Sequence, residues 1–259
     1  RSPPPRASGP PNVPAWLALA ALGSALALFA ACWWGSNVVF HPPRMLPNAV
    51  FPEQFSLAYQ KVAFPSLDGV TLRGWVIAAQ EATDRTILMC HGWGDNKGDL
   101  LRRFHFLAQR FNLFLFDSRH HGESGGELSS IGCLEARDFT AALGWLRERH
   151  PPWTRRLGLL GLSMGAAMAI RGLAVDGGFR CALLESPFRS FNRVVHQFCS
   201  NAFHLPYFPF VWLTLHIIRL RIGEEPEPYS PVHQAPRIPS VPLLFISGQD
   251  DRLMPLEEV

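Results

Sequence analysis

The pattern of hydrophobic and polar positions divides the chain into an uncharged N-terminal segment and a longer part of alternating patterns. Residues 15–34 carry no charged side chain. As a helix they would be about 30 Å long, which matches the hydrocarbon core of a bilayer. Trp16 and Trp33 lie near the two ends, where interfacial aromatic residues are favoured. The pattern predicts a transmembrane helix over residues 15–36, with a cleaved secretory signal as the alternative.

Both flanks of this helix are rich in proline. Residues 1–14 have no apolar periodicity and are predicted to be disordered, and residues 37–58 are predicted to be a linker. Two arginines precede the helix and one, Arg44, closely follows it. This asymmetry favours a single-pass protein whose following domain is extracytoplasmic.

From residue 59 onward, short strand patterns and helical patterns take turns. Residues 60–64 and 70–77 alternate around an Asp-Gly turn and predict a β-hairpin. Later strands are predicted at 86–90, 113–116, 157–160, 181–184 and 243–247, and helices at 98–110, 131–149 and 164–175. This alternation predicts an α/β domain over 59–259, with a mostly parallel sheet and helices on both faces. Residues 189–240 interrupt the alternation and are interpreted as a cap.

Composition narrows the function classes. The net charge is only +3, and the basic residues are scattered, so nucleic acid is not an expected partner. Five cysteines occur without a Cys-x-x-Cys pair, which predicts buried single thiols rather than a disulfide framework.

A catalytic serine is indicated by the sequence Gly-Leu-Ser-Met-Gly around Ser163, which fits the pattern G-x-S-x-G. A predicted strand precedes the serine and a predicted helix follows it. The two glycines, Gly161 and Gly165, remove the Cβ atoms that a tight turn would bring into collision. Ser163 at the start of a helix is therefore the candidate nucleophile. A glycine-bounded turn with an incidental serine is the alternative.

A glycine-bearing loop after the strand at 86–90 supplies the second candidate element. Its sequence, His91-Gly92-Trp93-Gly94, can direct a backbone N–H at a substrate carbonyl oxygen. The N–H groups of Trp93 and Met164 are the candidate oxyanion donors. His91 is interpreted as structural.

Acidic residues follow two other predicted strands. Asp117 and Arg119 are interpreted as holding their loop by hydrogen bonds. The side chains of the adjacent His120 and His121 are expected to point in different directions, which argues against a metal site. No cofactor is expected. After the last strand, either Asp250 or Asp251 is positioned to orient a catalytic histidine.

Four motifs occur in this order along the chain: strand-HGxG, FDxRxHGxSxG, GxSxG and strand-GxxD. Together they resemble the α/β-hydrolase superfamily over residues 60–259. The chain is similar to bacterial membrane-anchored members grouped with serine-aminopeptidase-like and lysophospholipase-like hydrolases. The resemblance implies Ser163 as nucleophile, Asp251 as the acid, and Trp93 and Met164 as oxyanion donors. His120 departs from the family pattern, which usually has glycine there.

The resemblance also implies a histidine after the acid, yet no histidine follows Asp251 in the sequence. We expect that histidine beyond Val259, together with one more strand and helix. The expected function is serine hydrolysis of an ester or related acyl bond, on a small-molecule or lipid-like acyl substrate, with the membrane contacted through the N-terminal helix. A peptidase of the serine-aminopeptidase type and a non-catalytic binding protein are the alternatives.

Overall fold

The computed structural model describes residues 14–44, 46, 48–251 and 253–256. The predicted disordered tail lies outside the described residues except for Pro14. Seven strands form one sheet: β1 (Tyr59–Pro65), β2 (Thr71–Ile77), β3 (Arg85–Cys90), β4 (Asn112–Asp117), β5 (Arg156–Leu162), β6 (Phe179–Glu185) and β7 (Leu243–Ile246). Their order across the sheet is β1-β2-β4-β3-β5-β6-β7. Strand β2 pairs antiparallel with β1 and β4, and all other pairs are parallel.

Helices cover both faces of this sheet, as predicted. The helices of the described residues are α1 (Ala15–Phe40), α2 (Lys97–Phe104), α3 (Glu135–Arg149), α4 (Met164–Val175), α5 (Phe191–Phe203), α6 (Trp212–Ile222) and α7 (Pro231–Gln234). Helix α2 packs on one face of the sheet, and α3 and α4 pack on the other. Alternate strand residues enter two separate cores. Leu88 and Phe114 belong to the core under α3 and α4, while their neighbours Met89 and Leu115 belong to the core under α2.

Two predicted helices have different bounds in the structure. The pattern over 98–110 is broken after Phe104, where a 3-10 turn over His105–Gln109 follows α2. The pattern from residue 131 becomes helical only at Glu135, because Ile131 and Gly132 have φ angles of 51° and 96°. The buried carboxylate of Glu135 accepts hydrogen bonds from the backbone N–H groups of Ser130 and Gly132, both at 2.8 Å, and so fixes this turn.

Helix α1 extends to Phe40, so residues 37–40 of the predicted linker are helical. Among the described residues, α1 is the helix long and apolar enough to cross a bilayer, with a mean hydropathy of 2.0 over its best window. Its first 17 residues are exposed apart from the half-buried Leu28. Its last turns pack against the cap helix α6.

The predicted cap consists of α5, α6 and α7 with their connections. Its buried side chains form one cluster with the end of α1 and with Ala167 of α4. The amphipathic α5 buries Phe191, Val194 and Val195 in that cluster. The cap is therefore joined to the sheet domain through α4, beside Ser163.

The prediction of buried thiols is wrong for Cys181, which is exposed, while the other four cysteines are free and buried. Cys181 lies on β6 along a largely apolar groove of about 820 Å³ that runs over β3, β5, β6 and β7. In the described part of the chain, no helix covers this portion of the sheet face. Leu244, Phe245 and Ile246 of β7, the edge strand of the described sheet, are also exposed.

Arg119 holds the hairpin, its own loop and helix α3 together, as predicted for this loop. Its guanidinium donates to the carboxylates of Asp138 and Asp68, and to the hydroxyl of Ser66. Hydrogen bonding by Arg119 lowers the pKa of Asp68 to about 2. Asp138 is completely buried, so Arg119 is the cation that compensates its charge.

We expect Arg119→Met to destabilise the protein by about 3–5 kcal/mol, because it leaves Asp138 buried and unpaired. Equilibrium unfolding of the detergent-solubilised protein by urea measures this change. Arg102→Met is the matched control, since Arg102 is half exposed and its ion-pair partner in the described structure is Asp99 on its own helix. Equal midpoints for the two variants would contradict the role assigned to Arg119.

Candidate active site

Ser163 lies in the turn between the end of β5 and the first residue of α4. Its backbone has φ 50° and ψ −113°, a strained conformation for a residue with a side chain. The Ser163 N–H donates to the carbonyl oxygen of Glu185 on β6 at 2.8 Å, and the Ser163 carbonyl accepts from the first turn of α4. These bonds hold the strained residue at the carboxyl edge of the sheet.

The two glycines of the motif permit this turn. A Cβ atom on Gly161 would lie 2.5 Å from the carbonyl oxygen of Gly165. A Cβ atom on Gly165 would collide with the carbonyl of Cys90 and lie 2.6 Å from that of His91. Helix α4 therefore starts against the end of β3, which brings Ser163 beside the loop that follows β3.

That loop places Trp93 at the same cavity as Ser163. A Cβ atom on Gly92 would lie 3.6 Å from the Cβ atom of Ser163, so the two turns are in close contact. The indole Nε1–H of Trp93 donates to the carbonyl oxygen of Val39 at the end of α1, at 3.1 Å. Met164 is the first residue of α4, so its N–H has no acceptor within the helix.

The cavity is narrow, about 50 Å³, and Ser163 is the polar residue in its lining. The apolar residues come from five parts of the chain: Val39, Trp93, Ile131, Phe188, Val194, Val195, Phe198, Leu253 and Met254. The sequence analysis did not assign the eight besides Trp93 to the site. The motifs lack any signal for them, since a residue such as Val39 reaches the cavity only through packing of α1.

Asp251 lies in the loop after β7. Its carboxylate accepts hydrogen bonds from the backbone N–H groups of Leu253 and Met254, at 2.9 and 2.8 Å. Both of those residues line the Ser163 cavity, so this loop reaches the site. Among the described residues, no histidine lines the cavity, and no histidine is hydrogen-bonded to Ser163 or Asp251.

His91 has the structural role predicted for it. Its buried ring accepts a hydrogen bond from the Ser118 N–H at Nε2, 2.9 Å away, and contacts the Gly92 carbonyl through Nδ1. Burial, with the nearby His121, holds the pKa of His91 well below its usual value. His120 has φ 58°, which gives a physical reason for glycine at this position in similar proteins.

A polar cluster that the sequence analysis missed lies beside the Gly92 turn. Burial, together with the nearby charge of Asp99, raises the pKa of Asp95. The Asp95 carboxylate is close to Gly92, where a Cβ atom would lie 2.9 Å from Oδ2. Arg103 donates to both carboxylate oxygens of Glu185 at 2.8 Å. Asp95 directly follows Gly94 in the sequence, and this position next to the Gly-Trp-Gly turn could have identified it as a residue near the site.

The mostly parallel sheet with a strained serine between strand and helix defines the hydrolases of the α/β class. A family model described as "Alpha/beta hydrolase family" matches residues 87–258. The chain belongs to the alpha/beta hydrolase family.

Two curated relatives illustrate the similarity. YqkD of Bacillus subtilis is 30% identical over 205 residues, which are 76% of this chain and 65% of YqkD. Protein bem46 of Schizosaccharomyces pombe is 27% identical over 231 residues, covering 83% of this chain and 68% of bem46. The chain thus spans somewhat less than two thirds of the length of YqkD.

Solved structures agree with this assignment. The esterase Pf2001 of Pyrococcus furiosus has a TM-score of 0.68 and 29% identity, covering 85% of this chain and 80% of that protein. The acylaminoacyl peptidase of Pyrococcus horikoshii, at 16% identity, has a TM-score of 0.58 over 78% of this chain and 33% of that chain, and shares the fold.

Gly165→Ala is expected to destabilise the protein by about 3 kcal/mol or more, because the added methyl group meets backbone atoms that have no room to move. Gly144→Ala is the matched control. Gly144 also lies within a helix, with nothing near its Cβ position, so alanine there should stabilise by about 0.5–1 kcal/mol. Thermal unfolding of both variants checks the opposite signs, and a harmless Gly165→Ala would refute the packing argument.

Proposed function

We propose that this protein is a membrane-anchored serine hydrolase that cleaves an ester or related acyl bond through an acyl-enzyme intermediate. The observation that carries this proposal is the strained Ser163 at the start of α4, beside Trp93 and open to an apolar cavity. Strain of this kind persists where the surrounding structure enforces it, and it is concentrated at functional sites.

In the proposed reaction, the Ser163 Oγ attacks the substrate carbonyl carbon while its proton passes to a histidine base. The carbonyl oxygen becomes an oxyanion and accepts hydrogen bonds from the N–H groups of Trp93 and Met164. The bond to the leaving alcohol then breaks, and the alcohol takes the proton from the histidine. Water, activated by the same base, hydrolyses the acyl-serine and restores Ser163.

Asp251 is proposed to orient that histidine and to stabilise its charged form. The contact of its loop with the Ser163 cavity supports this role. All ten histidines of the sequence precede Asp251. In the order of these residues that the family implies, the histidine base follows the acid along the chain.

The cavity favours an acyl group over a charged peptide end. Among the described residues, its lining offers no ionised side chain to pair with a free amino group, and burying an unpaired charge there would be costly. The similarity to the esterase Pf2001 supports the same choice. A small-molecule or lipid-like ester is therefore the proposed substrate class.

Helix α1 is proposed to anchor the protein in a membrane as a single span. Its first 17 residues expose an uncharged apolar surface without a polar face, which water would not stabilise. We propose that the hydrolase domain lies on the extracytoplasmic side, and the two arginines that precede the helix support this orientation.

A fluorophosphonate probe is expected to label the natural full-length protein at Ser163 and to leave Ser163→Ala unlabelled. Ser200→Ala, a cap variant outside the cavity lining, serves as the control and should label like the wild type. Mass spectrometry of the labelled peptide identifies the site. Equal labelling of Ser163→Ala would exclude this nucleophile, and no labelling of the wild type would favour a non-catalytic binding protein.

Sodium carbonate washing should leave the full-length protein in the membrane pellet. A variant lacking residues 1–31 should be released, since it keeps the packed turns Cys32–Phe40 and loses the exposed apolar surface. Immunoblotting of pellet and supernatant measures the partition. Release of the intact protein by carbonate would rule out the anchor.

A further inference from the structure

Helix α1 has two parts with different surroundings. From Ala15 to Ala31 its side chains are exposed apart from Leu28, whereas Cys32, Ser36, Val39 and Phe40 are buried against the domain. The transition from bilayer to domain therefore falls within one or two turns after Ala31. Trp33 and Trp34 remain exposed at this level, where indole rings suit the membrane interface.

A cationic side chain limits how deep this end of α1 can lie. The guanidinium of Arg221 on α6 donates to the Ser36 hydroxyl at 2.6 Å. It lies over the rings of Trp33 and Phe40, 4.7 and 4.6 Å from their centroids. Because a charged group is costly in hydrocarbon, Ser36 and Arg221 mark the headgroup side of the interface.

Aromatic residues of the cap are exposed close to Trp34 of α1. We name Trp34, Phe203, Tyr207, Phe208 and Trp212 the aromatic rim; all five are exposed. The rings of Trp34 and Phe203 meet edge to face, with centroids 5.7 Å apart, and those of Phe208 and Trp212 are 5.9 Å apart. The rim therefore continues the apolar surface of α1 onto the cap.

Ring contacts also connect the rim to the site. Phe203 contacts Phe198, with centroids 6.1 Å apart, and Phe198 contacts Trp93 at 5.9 Å. Phe198 and Trp93 line the Ser163 cavity, as does Val39 of α1. A continuous row of contacting apolar side chains thus runs from the end of the exposed part of α1 to the Ser163 cavity, and we call this row the apolar route.

We propose that the aromatic rim rests in the interfacial layer of a phospholipid bilayer, and that the Ser163 cavity receives the acyl ester of a membrane lipid along this route. The part concerning the ester rests on the proposed hydrolase function, whereas the contact between rim and bilayer does not. The rim is continuous with the exposed apolar surface of α1, which is the proposed membrane span. The bilayer is therefore the partner that we propose for the rim.

The bilayer contact is tested without catalysis. The full-length protein is reconstituted in phosphatidylcholine vesicles containing a phosphatidylcholine with a diazirine near its headgroup, and crosslinked peptides are mapped by mass spectrometry. Lipid adducts are expected in residues 203–212 as well as in α1. Residues 105–109 are the internal control, because Phe106 there is 54% exposed, comparable to Phe208 at 69%. Adducts confined to α1, or protein-to-protein crosslinks at 203–212 that indicate a second copy, overturn the proposal.

Delivery of the ester from the bilayer through the aromatic rim is tested by kinetics on two substrates. In the double variant Phe208→Ala, Trp212→Ala, hydrolysis of a long-chain ester embedded in vesicles should fall about tenfold, since two interfacial aromatic groups are lost. Hydrolysis of a short water-soluble ester should not change, because neither residue lines the cavity. Phe106→Ala should change neither rate.

An equal fall on both substrates, or no fall on the vesicle substrate, overturns the proposed delivery of the ester from the bilayer. Failure of the wild-type protein to hydrolyse either ester is a failure of the hydrolase function. The lipid adducts then decide separately whether the rim contacts the bilayer.

Discussion

The contact between helix α4 and the end of strand β3 is the constraint on which the site depends. At Gly165 the helix backbone lies so close to the carbonyl groups of Cys90 and His91 that no side chain fits between them. This contact sets where α4 begins and leaves Ser163 in a strained conformation between strand and helix. It also brings the loop carrying Trp93 to the serine, so one backbone approach places both halves of the candidate site.

The end of helix α1 belongs to the same packing unit. Val39 and Phe40 share a buried cluster with the cap helices and with Ala167 of α4. The Trp93 indole N–H donates a hydrogen bond to the Val39 carbonyl oxygen, which connects the loop after β3 to the helix proposed as the anchor. One end of α1 is therefore part of the cavity wall, while the other presents an apolar surface to its surroundings.

Buried charges hold the loops around this unit. Asp117, at the end of β4, accepts hydrogen bonds from the backbone and side chain of Lys97, and both side chains are fully buried. Burial raises the pKa of Asp117 even though Lys97 opposes the shift. Arg119 and Asp138 form a second pair of this kind. Removing one partner of such a pair leaves a costly buried charge, so these loops have little freedom to rearrange.

Sequence alone determined the elements whose signals are local. The strands, the bounds of α4 and the candidate Ser163 follow from periodicity and from a motif of five residues, because neighbours in the chain produce both patterns. Tertiary structure decided what depends on distant contacts. Helix α3 begins at Glu135 because the preceding turn is held by that buried carboxylate, and Cys181 is exposed because no described helix covers its part of the sheet. Val39 and Phe198 become walls of one cavity although they are far apart in the chain, because only packing brings α1 and the cap together.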